Sequence, residues 1–326
     1  MTSAITRPTF AATDSTAPAS AGLPELSGVL FFPVTCFDDG DRIDEEALTR
    51  HIDGGAGAGA GAVFVACGTG EFHALSVEEH RRVVEIGVAV TASRVPVVAG
   101  VGGPLGHALQ CVRQAEEAGA DALLVLPPYL VQGPPSGTER YITAIADASS
   151  LPVIAYHRGP SRLTLDSVRR LIDIPNLAGI KDGVGDVAVM QQFVNEARSR
   201  RPEMLFFNGL LTAEASQAAY RAIGVPMYSS AAFAMAPDIA TAFYGAYHRG
   251  DDDAQRRLLD GFYTPLVQLR DEVPGFAVAL IKAGVVLGGT AAGSVRPPLV
   301  DPSPEQRERL AALLDDGRRL AAELAE

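Results

Sequence analysis

Several features that often reveal a protein's chemistry are scarce or missing in this chain. No apolar run reaches the roughly 18 residues that a membrane-spanning helix needs; the best stretch, near Phe276 to Leu287, is interrupted by Lys282. Positive charge is short as well. The 27 basic residues stand against 39 acidic ones, a net charge of −12, which argues against nucleic acid or an anionic membrane as partner because both select clustered Lys and Arg. Three cysteines (Cys36, Cys67, Cys111), odd in number and without CxxC spacing, fit neither a disulfide framework nor a zinc site and point to a reducing, cytoplasmic setting. The six histidines show no HxH or HExxH spacing, and residues 100–106 read GVGGPLG rather than GxGxxG. Neither a metal nor a dinucleotide is expected, so no cofactor is predicted. Lysine is the rarest basic residue: of the 27, only Lys181 and Lys282 are lysines.

What is present is the material of a large core. Hydrophobic residues make up 47% of the 326-residue chain and charged residues 20%, the mixture of a globular protein with an extensive interior. Residues 1–26, rich in Ala, Thr, Ser and Pro and without an apolar h-region, read as a disordered tail rather than a signal peptide. Beyond them, short apolar runs recur at 29–37, 62–67, 95–101, 122–128, 152–158, 177–183, 203–209 and 226–230. Helix-start signals lie between them: Asp44 ahead of Glu45 and Glu46, Ser76 with Glu79, Ser136 with Glu139, and Thr164 with Asp166. Near-continuous apolar strands alternating with helices indicate a parallel sheet, and eight such units favour closure into a (β/α)₈ TIM barrel. The Gly/Ala stretch 54–62 reads as a helix end and loop. The barrel is expected over 27–249, its eighth helix near 236–249. Helical patterns near 251–271, 275–288 and 303–325, the last opened by Ser303 and Pro304, form a C-terminal helical extension over 250–326.

Barrel active sites are built at the C-terminal ends of the strands. Here those ends carry Thr35, Gly68-Thr69-Gly70, Pro127-Pro128-Tyr129, Tyr156-His157-Arg158, Lys181-Asp182, Gly209 and Ser229-Ser230, rich in hydroxyls and glycines and poor in metal ligands. Arginine serves nearly everywhere a cation is needed, yet it cannot lose its proton to become a nucleophile. A desolvated lysine is brought to a pKa of roughly 7 to 8, so a lysine kept at a strand end points to amine chemistry. The competing reading makes Lys181 a structural partner of Asp182. Lys282, in an apolar helical pattern, reads as a stem packed on the core with its head snorkelling or paired. Tyr156 has a group able to relay protons, or else a buried hydroxyl that is simply satisfied. The Gly68–Gly70 loop offers N–H groups suited to a carboxylate.

At these residues the chain resembles the dihydrodipicolinate synthase and N-acetylneuraminate lyase superfamily of class I Schiff-base barrels. The marks are FPVTCF (32–37), GTGE (68–71), PPY (127–129), Tyr156 and GIKDG (179–183), and they span about 27–318. GTGEFHAL (68–75), FFNGLLTAE (206–214), GVPMYSSAAF (224–233), GFAVALIKAG (275–284) and VRPPL (295–299) are most similar to its 5-dehydro-4-deoxyglucarate dehydratase branch. His157 departs from the Asn usual there, and Ser161 stands where synthases carry an Arg, with Arg162 beside it. The resemblance implies a lyase with Lys181 as Schiff-base lysine and Tyr156 as proton relay. It implies substrate contacts from Thr35, Gly68, Thr69, Gly70, Arg158, Gly209, Ser229 and Ser230, with no metal. The implied ligand is a keto sugar diacid, and the implied assembly a homo-oligomer, tetramer or dimer. The alternatives are a synthase or 2-keto-3-deoxy sugar acid aldolase of the same superfamily and, more remotely, a non-catalytic sugar-acid binding protein.

Overall fold

A computed structural model describes residues 22–24, 26–128 and 130–324. Most of the expected N-terminal tail, and Tyr129, lie outside the described residues. Leu23 and Leu26, assigned to that tail, are buried, so packed structure begins ahead of residue 27.

Eight parallel strands, β1 (Val29–Phe31), β2 (Ala60–Val65), β3 (Val97–Val101), β4 (Ala122–Val125), β5 (Val153–His157), β6 (Leu177–Asp182), β7 (Leu205–Asn208) and β8 (Met227–Ser230), close into a barrel in sequential order, with β8 pairing back to β1. Each strand lies inside one of the expected apolar runs except β2, which starts two residues earlier. Helices α1 (Glu45–Gly57), α2 (Val77–Thr91), α3 (Leu105–Glu117), α4 (Pro135–Asp147), α5 (Leu165–Leu171), α6 (Val187–Arg200), α7 (Gln217–Ala222) and α8 (Pro237–Arg249) cover the strands. The extension adds α9 (Asp252–Leu258), α10 (Thr264–Arg270), α11 (Phe276–Leu287) and α12 (Pro304–Glu323). A π-helical turn at Leu259–Tyr263 joins α9 to α10, so the single pattern at 251–271 is one helical run with a widened turn. No helix among the described residues is long and apolar enough to cross a membrane.

The cap signals mostly hold. Asp44 and Thr164 accept N–H groups from Ala47 and Ser167, and Ser76–Glu79 and Ser303–Gln306 form reciprocal capping boxes. One expectation fails and another holds only in part. α4 starts at Pro135, whose ring pre-sets the first turn. Glu139 therefore lies one turn inside the helix and binds Ser167 and Arg170 instead of closing a box with Ser136. The Gly/Ala stretch is a helix end as expected, but its loop is only the Ala58–Gly59 turn, because α1 runs to Gly57 and β2 begins at Ala60. Two of its glycines make room for close approach: a Cβ on Gly55 would stand 2.2 Å from the Phe31 ring, and one on Gly61 would fall 1.4 Å from the Ser27 carbonyl oxygen.

The extension is locked to the barrel by an interaction that sequence reading left half-defined. Lys282 of α11 is 1% exposed and donates to Glu71 Oε1 at 2.7 Å, Glu71 being wholly buried in the loop after β2. The other carboxylate oxygen accepts the backbone N–H of Arg296 at 2.8 Å. The Lys282 ammonium and the Arg296 guanidinium each lie 4.0 Å from the Phe37 ring centroid. Lys282 is thus paired rather than snorkelling. Glu71 itself sits in the left-handed region at φ 56°, a conformation costing a non-glycine residue roughly 1–3 kcal/mol, so the surrounding contacts must over-determine it.

Removing one partner of a buried pair strands the other charge. Lys282→Met is expected to lower stability by about 3–5 kcal/mol, and adding Glu71→Gln should recover part of that loss. Urea unfolding of both single variants and the double variant checks it; strictly additive losses would mean the pair is not coupled.

Candidate active site

Successive residues of a strand point to opposite faces, and this alternation sorts the strand ends. Tyr156, Lys181 and Phe207 sit side by side in register across β5, β6 and β7 and share the inward face. Their neighbours His157, Asp182 and Asn208 turn towards the helices. His157 accepts the Leu163 N–H through Nδ1 at 2.8 Å and packs edge-on against Phe193. Asp182 accepts the N–H groups of Val184 and Gly185 and the hydroxyl of Tyr220. Asn208 bonds to Ala213, Ser216 and Gln217. The unusual His157 therefore braces the loop after β5 behind the barrel wall.

A cavity of about 820 Å³ opens at this end of the barrel, walled in addition by α11. Lys181 lines it while only 5% exposed. Its Nζ lies 3.9 Å from the Phe32 ring centroid, 4.6 Å from that of Tyr156 and 5.7 Å from that of Phe207. Phe64 extends the floor, stacked on Phe32 with centroids 4.5 Å apart and set 5.8 Å from Phe207. Among the described residues no carboxylate lies within ion-pair reach of Lys181, since Asp182, its expected structural partner, points the other way. Ring faces favour an ammonium, but the loss of hydration outweighs them. Burial above all, with Arg158 nearby, brings the Lys181 amine down to about 7.

Tyr156 is held at both ends of its hydroxyl, donating to the Gly209 carbonyl at 3.1 Å and accepting from Arg158 Nη1 at 2.8 Å. Burial pushes its phenol up, against the opposing pull of Arg158, so it is a neutral donor and acceptor. Gly209 also explains its own identity: a Cβ there would stand 2.2 Å from Lys181 Cε.

Of the ten residues singled out from sequence, Lys181, Tyr156, Gly68, Thr69, Arg158, Gly209 and Ser229 line this cavity. Thr35, Gly70 and Ser230 do not. Thr35 is 1% exposed and donates to the Gly70 carbonyl at 2.7 Å, fixing the loop from beneath. Ser230 falls on the outward face, where its hydroxyl donates to Glu214 and accepts the Phe233 N–H. Burial raises the Glu214 carboxyl to about 7. Sequence reading missed Phe32 and Phe207 as the bed of the lysine, although both fall in quoted strand runs, and Arg270, which reaches the cavity from the end of α10. No local signal marks Arg270 among 25 arginines.

Gly209→Ala is expected to push Lys181 out of its seat and return its amine towards the ordinary lysine range, visible as slower acylation of Lys181 by acetic anhydride near neutral pH. Lys181→Met should stabilise the fold. A depressed folded pKa means the cost of burying the ammonium grows as pH falls from the ordinary lysine range through about 7; relief of that cost should reach the order of a few kcal/mol below neutrality and vanish at high pH. Unfolding curves across pH test this.

Comparison with known proteins agrees with the geometry. Residues 25–316 match the model of the Dihydrodipicolinate synthetase family. A relative from Streptomyces coelicolor, named probable 5-dehydro-4-deoxyglucarate dehydratase 1, is 47% identical over 311 residues, 95% of this chain and 98% of its own length. One from Azotobacter vinelandii, named probable 5-dehydro-4-deoxyglucarate dehydratase, is 41% identical over 88% of this chain and 94% of its own. Among solved structures, dihydrodipicolinate synthase from Oceanobacillus iheyensis superposes with a TM-score of 0.81 at 25% identity, covering 89% of this chain and 96% of that one. A prophage protein of the dihydrodipicolinic acid synthase family from E. coli K12, in complex with pyruvate, gives 0.79 at 25% identity, covering 89% and 98%. With a closed eight-stranded barrel, a desolvated lysine on β6 and a match to the family model across nearly its whole length, the chain belongs to the dihydrodipicolinate synthetase family.

Proposed function

We propose that this protein is a 5-dehydro-4-deoxyglucarate dehydratase, a decarboxylating hydro-lyase working through a Schiff base on Lys181. The observation that carries the reading is the Lys181 amine: buried among aromatic rings, free of any carboxylate partner among the described residues, brought to about 7 and opening on the cavity. The relatives' names supply the substrate.

Condensation of neutral Lys181 with the C5 ketone, the Tyr156 phenol giving its proton to the departing water, leaves an iminium that acidifies the C4 protons and a Tyr156 phenolate ready to take one. Tyr156 takes one of them, directly or through water, and returns it to the departing C3 hydroxide. The product is an iminium conjugated with a C3–C4 double bond. When the C1–C2 bond breaks, its electron pair flows into that system, carbon dioxide leaves and a dienamine with an enol at C2 remains. Protonation at C3 and C4 and hydrolysis of the iminium release 2,5-dioxopentanoate and free Lys181. One electron sink serves both bond cleavages. The Tyr156 hydroxyl, already exchanging hydrogen bonds with Arg158 and Gly209, has the donor-and-acceptor character that this traffic needs. Arg158, unpaired with any carboxylate among the described residues, is the nearest cation for a substrate carboxylate. The Gly68 and Thr69 backbone supplies polar contacts on the other side of the cavity. Thr35, Gly70 and Ser230 act from behind the wall, through the loop and through Glu214. The buried free thiols support a reducing cytoplasm, and a homo-oligomer, tetramer or dimer, is the assembly to look for.

Borohydride added during turnover should trap a mass adduct on Lys181 and none on Lys282, and Lys181→Arg should reduce activity to background. Because the free enzyme must present a neutral amine, kcat/KM should rise with pH through about 7 and then level. Carbon dioxide release without pyruvate distinguishes this reaction from aldol cleavage; pyruvate as a product would replace it with the aldolase reading.

A further inference from the structure

The cavity is far larger than the neighbourhood of Lys181, and its outer wall comes from the extension, which the reaction above does not use. Arg270, the last residue of α10, lines it with a side chain 16% exposed. Its guanidinium is oriented at two points: Nε donates to Asp271 Oδ1 at 2.7 Å and Nη1 to Thr212 Oγ1 at 2.8 Å. Nη2 has no partner among the described residues. Thr212 lies three residues beyond Gly209, so the loop that seats Lys181 also holds this arginine. Asp271 is 61% exposed, and a pair with so exposed a carboxylate contributes little and is readily exchanged for a better anion. Among the described residues the cavity thus has two permanently cationic side chains, Arg158 and Arg270, beside the Lys181 amine, in a chain of net charge −12.

We propose that Arg270, oriented by Thr212, is a second carboxylate-binding residue that makes the cavity selective for dicarboxylates over monocarboxylates. The inference rests on the diacid reading of the site. Lys181 is committed to the ketone and Arg158 to one carboxylate, so the second carboxylate of a six-carbon diacid would otherwise enter an acidic protein with no cation to receive it. A planar guanidinium already held by a neutral hydroxyl loses little freedom on binding, and its Nη2 edge offers the paired N–H donors that a carboxylate takes. The position on the extension, not on a strand end, makes the second charge contact independent of the chemistry at C5.

The test separates anion recognition from turnover. Pyruvate with borohydride marks Lys181, and D-glucarate, a diacid of the same length without a ketone, competes with that marking. D-gluconate serves as the monocarboxylate control. In Arg270→Met, trapping by pyruvate alone should equal wild type, the D-glucarate concentration for half-protection should rise on the order of tenfold, about 1.4 kcal/mol, and protection by D-gluconate should not change. Arg270→Lys should recover part of the effect, and Thr212→Val should show a smaller shift in the same direction. An unchanged D-glucarate curve, an equal loss for D-gluconate, a failure of D-glucarate to protect the wild type, or a loss of pyruvate trapping itself would each overturn the proposal. Failure of the wild type to turn over the keto diacid is a separate outcome that strikes the proposed function alone.

Discussion

The cost of keeping an ammonium ion out of water organises this molecule. Lys181 and Lys282 are both buried in the same chain, and their surroundings assign them opposite parts. Lys282 meets Glu71 and stays paired, a structural charge neutralised on the spot. Lys181 meets Phe32, Tyr156 and Phe207 and, among the described residues, no carboxylate, so the proton itself becomes the expensive component and is given up near neutrality. Each supporting feature follows from that difference. The strand alternation that directs Lys181 inward directs Asp182 outward, where backbone N–H groups and Tyr220 occupy its oxygens. The bare Cα of Gly209 gives the lysine stem its channel. The aromatic floor of Phe32, Phe64 and Phe207 packs beneath the amine.

The extension is part of the site and not an appendage. Ile281 lines the cavity while the next residue, Lys282, turns to Glu71, so one helix supplies both a wall and a lock. Glu71 in turn ends the loop that carries Gly68 and Thr69 to the cavity. Its left-handed backbone is sustained by the ion pair, by the Arg296 amide and by the Phe37 ring between the two cations. The cavity wall and the loop opposite it are therefore mechanically one piece. A chain ending at the barrel would leave Glu71 without its ammonium and amide partners and the loop without its anchor.

How far the sequence could be read follows from which physical rules are local. Strand count, barrel closure and the helix caps at Asp44, Ser76, Thr164 and Ser303 depend on short-range pattern, and they were legible. The loop of the Gly/Ala stretch is shorter than expected, and the α4 start differs, because Gly55 and Gly61 answer to distant partners, Phe31 and Ser27, and because Pro135 outranks Ser136 as a helix opener. At the site, position at a strand end and the rarity of lysine were enough to single out Lys181. The same strand-end criterion also gathered Ser230, which the period of two places behind the wall while Ser229 lines the cavity; applying that period from Lys181 outward would have separated the pair. Arg270 was beyond reach, since it enters the cavity from a helix whose placement is a tertiary fact.

The choice of arginine for nearly every cation also bears on the chemistry. A keto acid condenses with any accessible neutral amine, and surface lysines compete for it weakly but in number. A guanidinium, protonated at every physiological pH, forms ion pairs and hydrogen bonds but no imine. With surface pairs such as Arg82–Glu45, Arg169–Glu196 and Arg309–Glu272 built from arginine, and Lys282 sealed against Glu71, a single side-chain amine opens on the cavity. Composition and geometry thus reach the same result by different means: the aromatic bed makes one lysine reactive, and the arginine-rich surface leaves it without rivals.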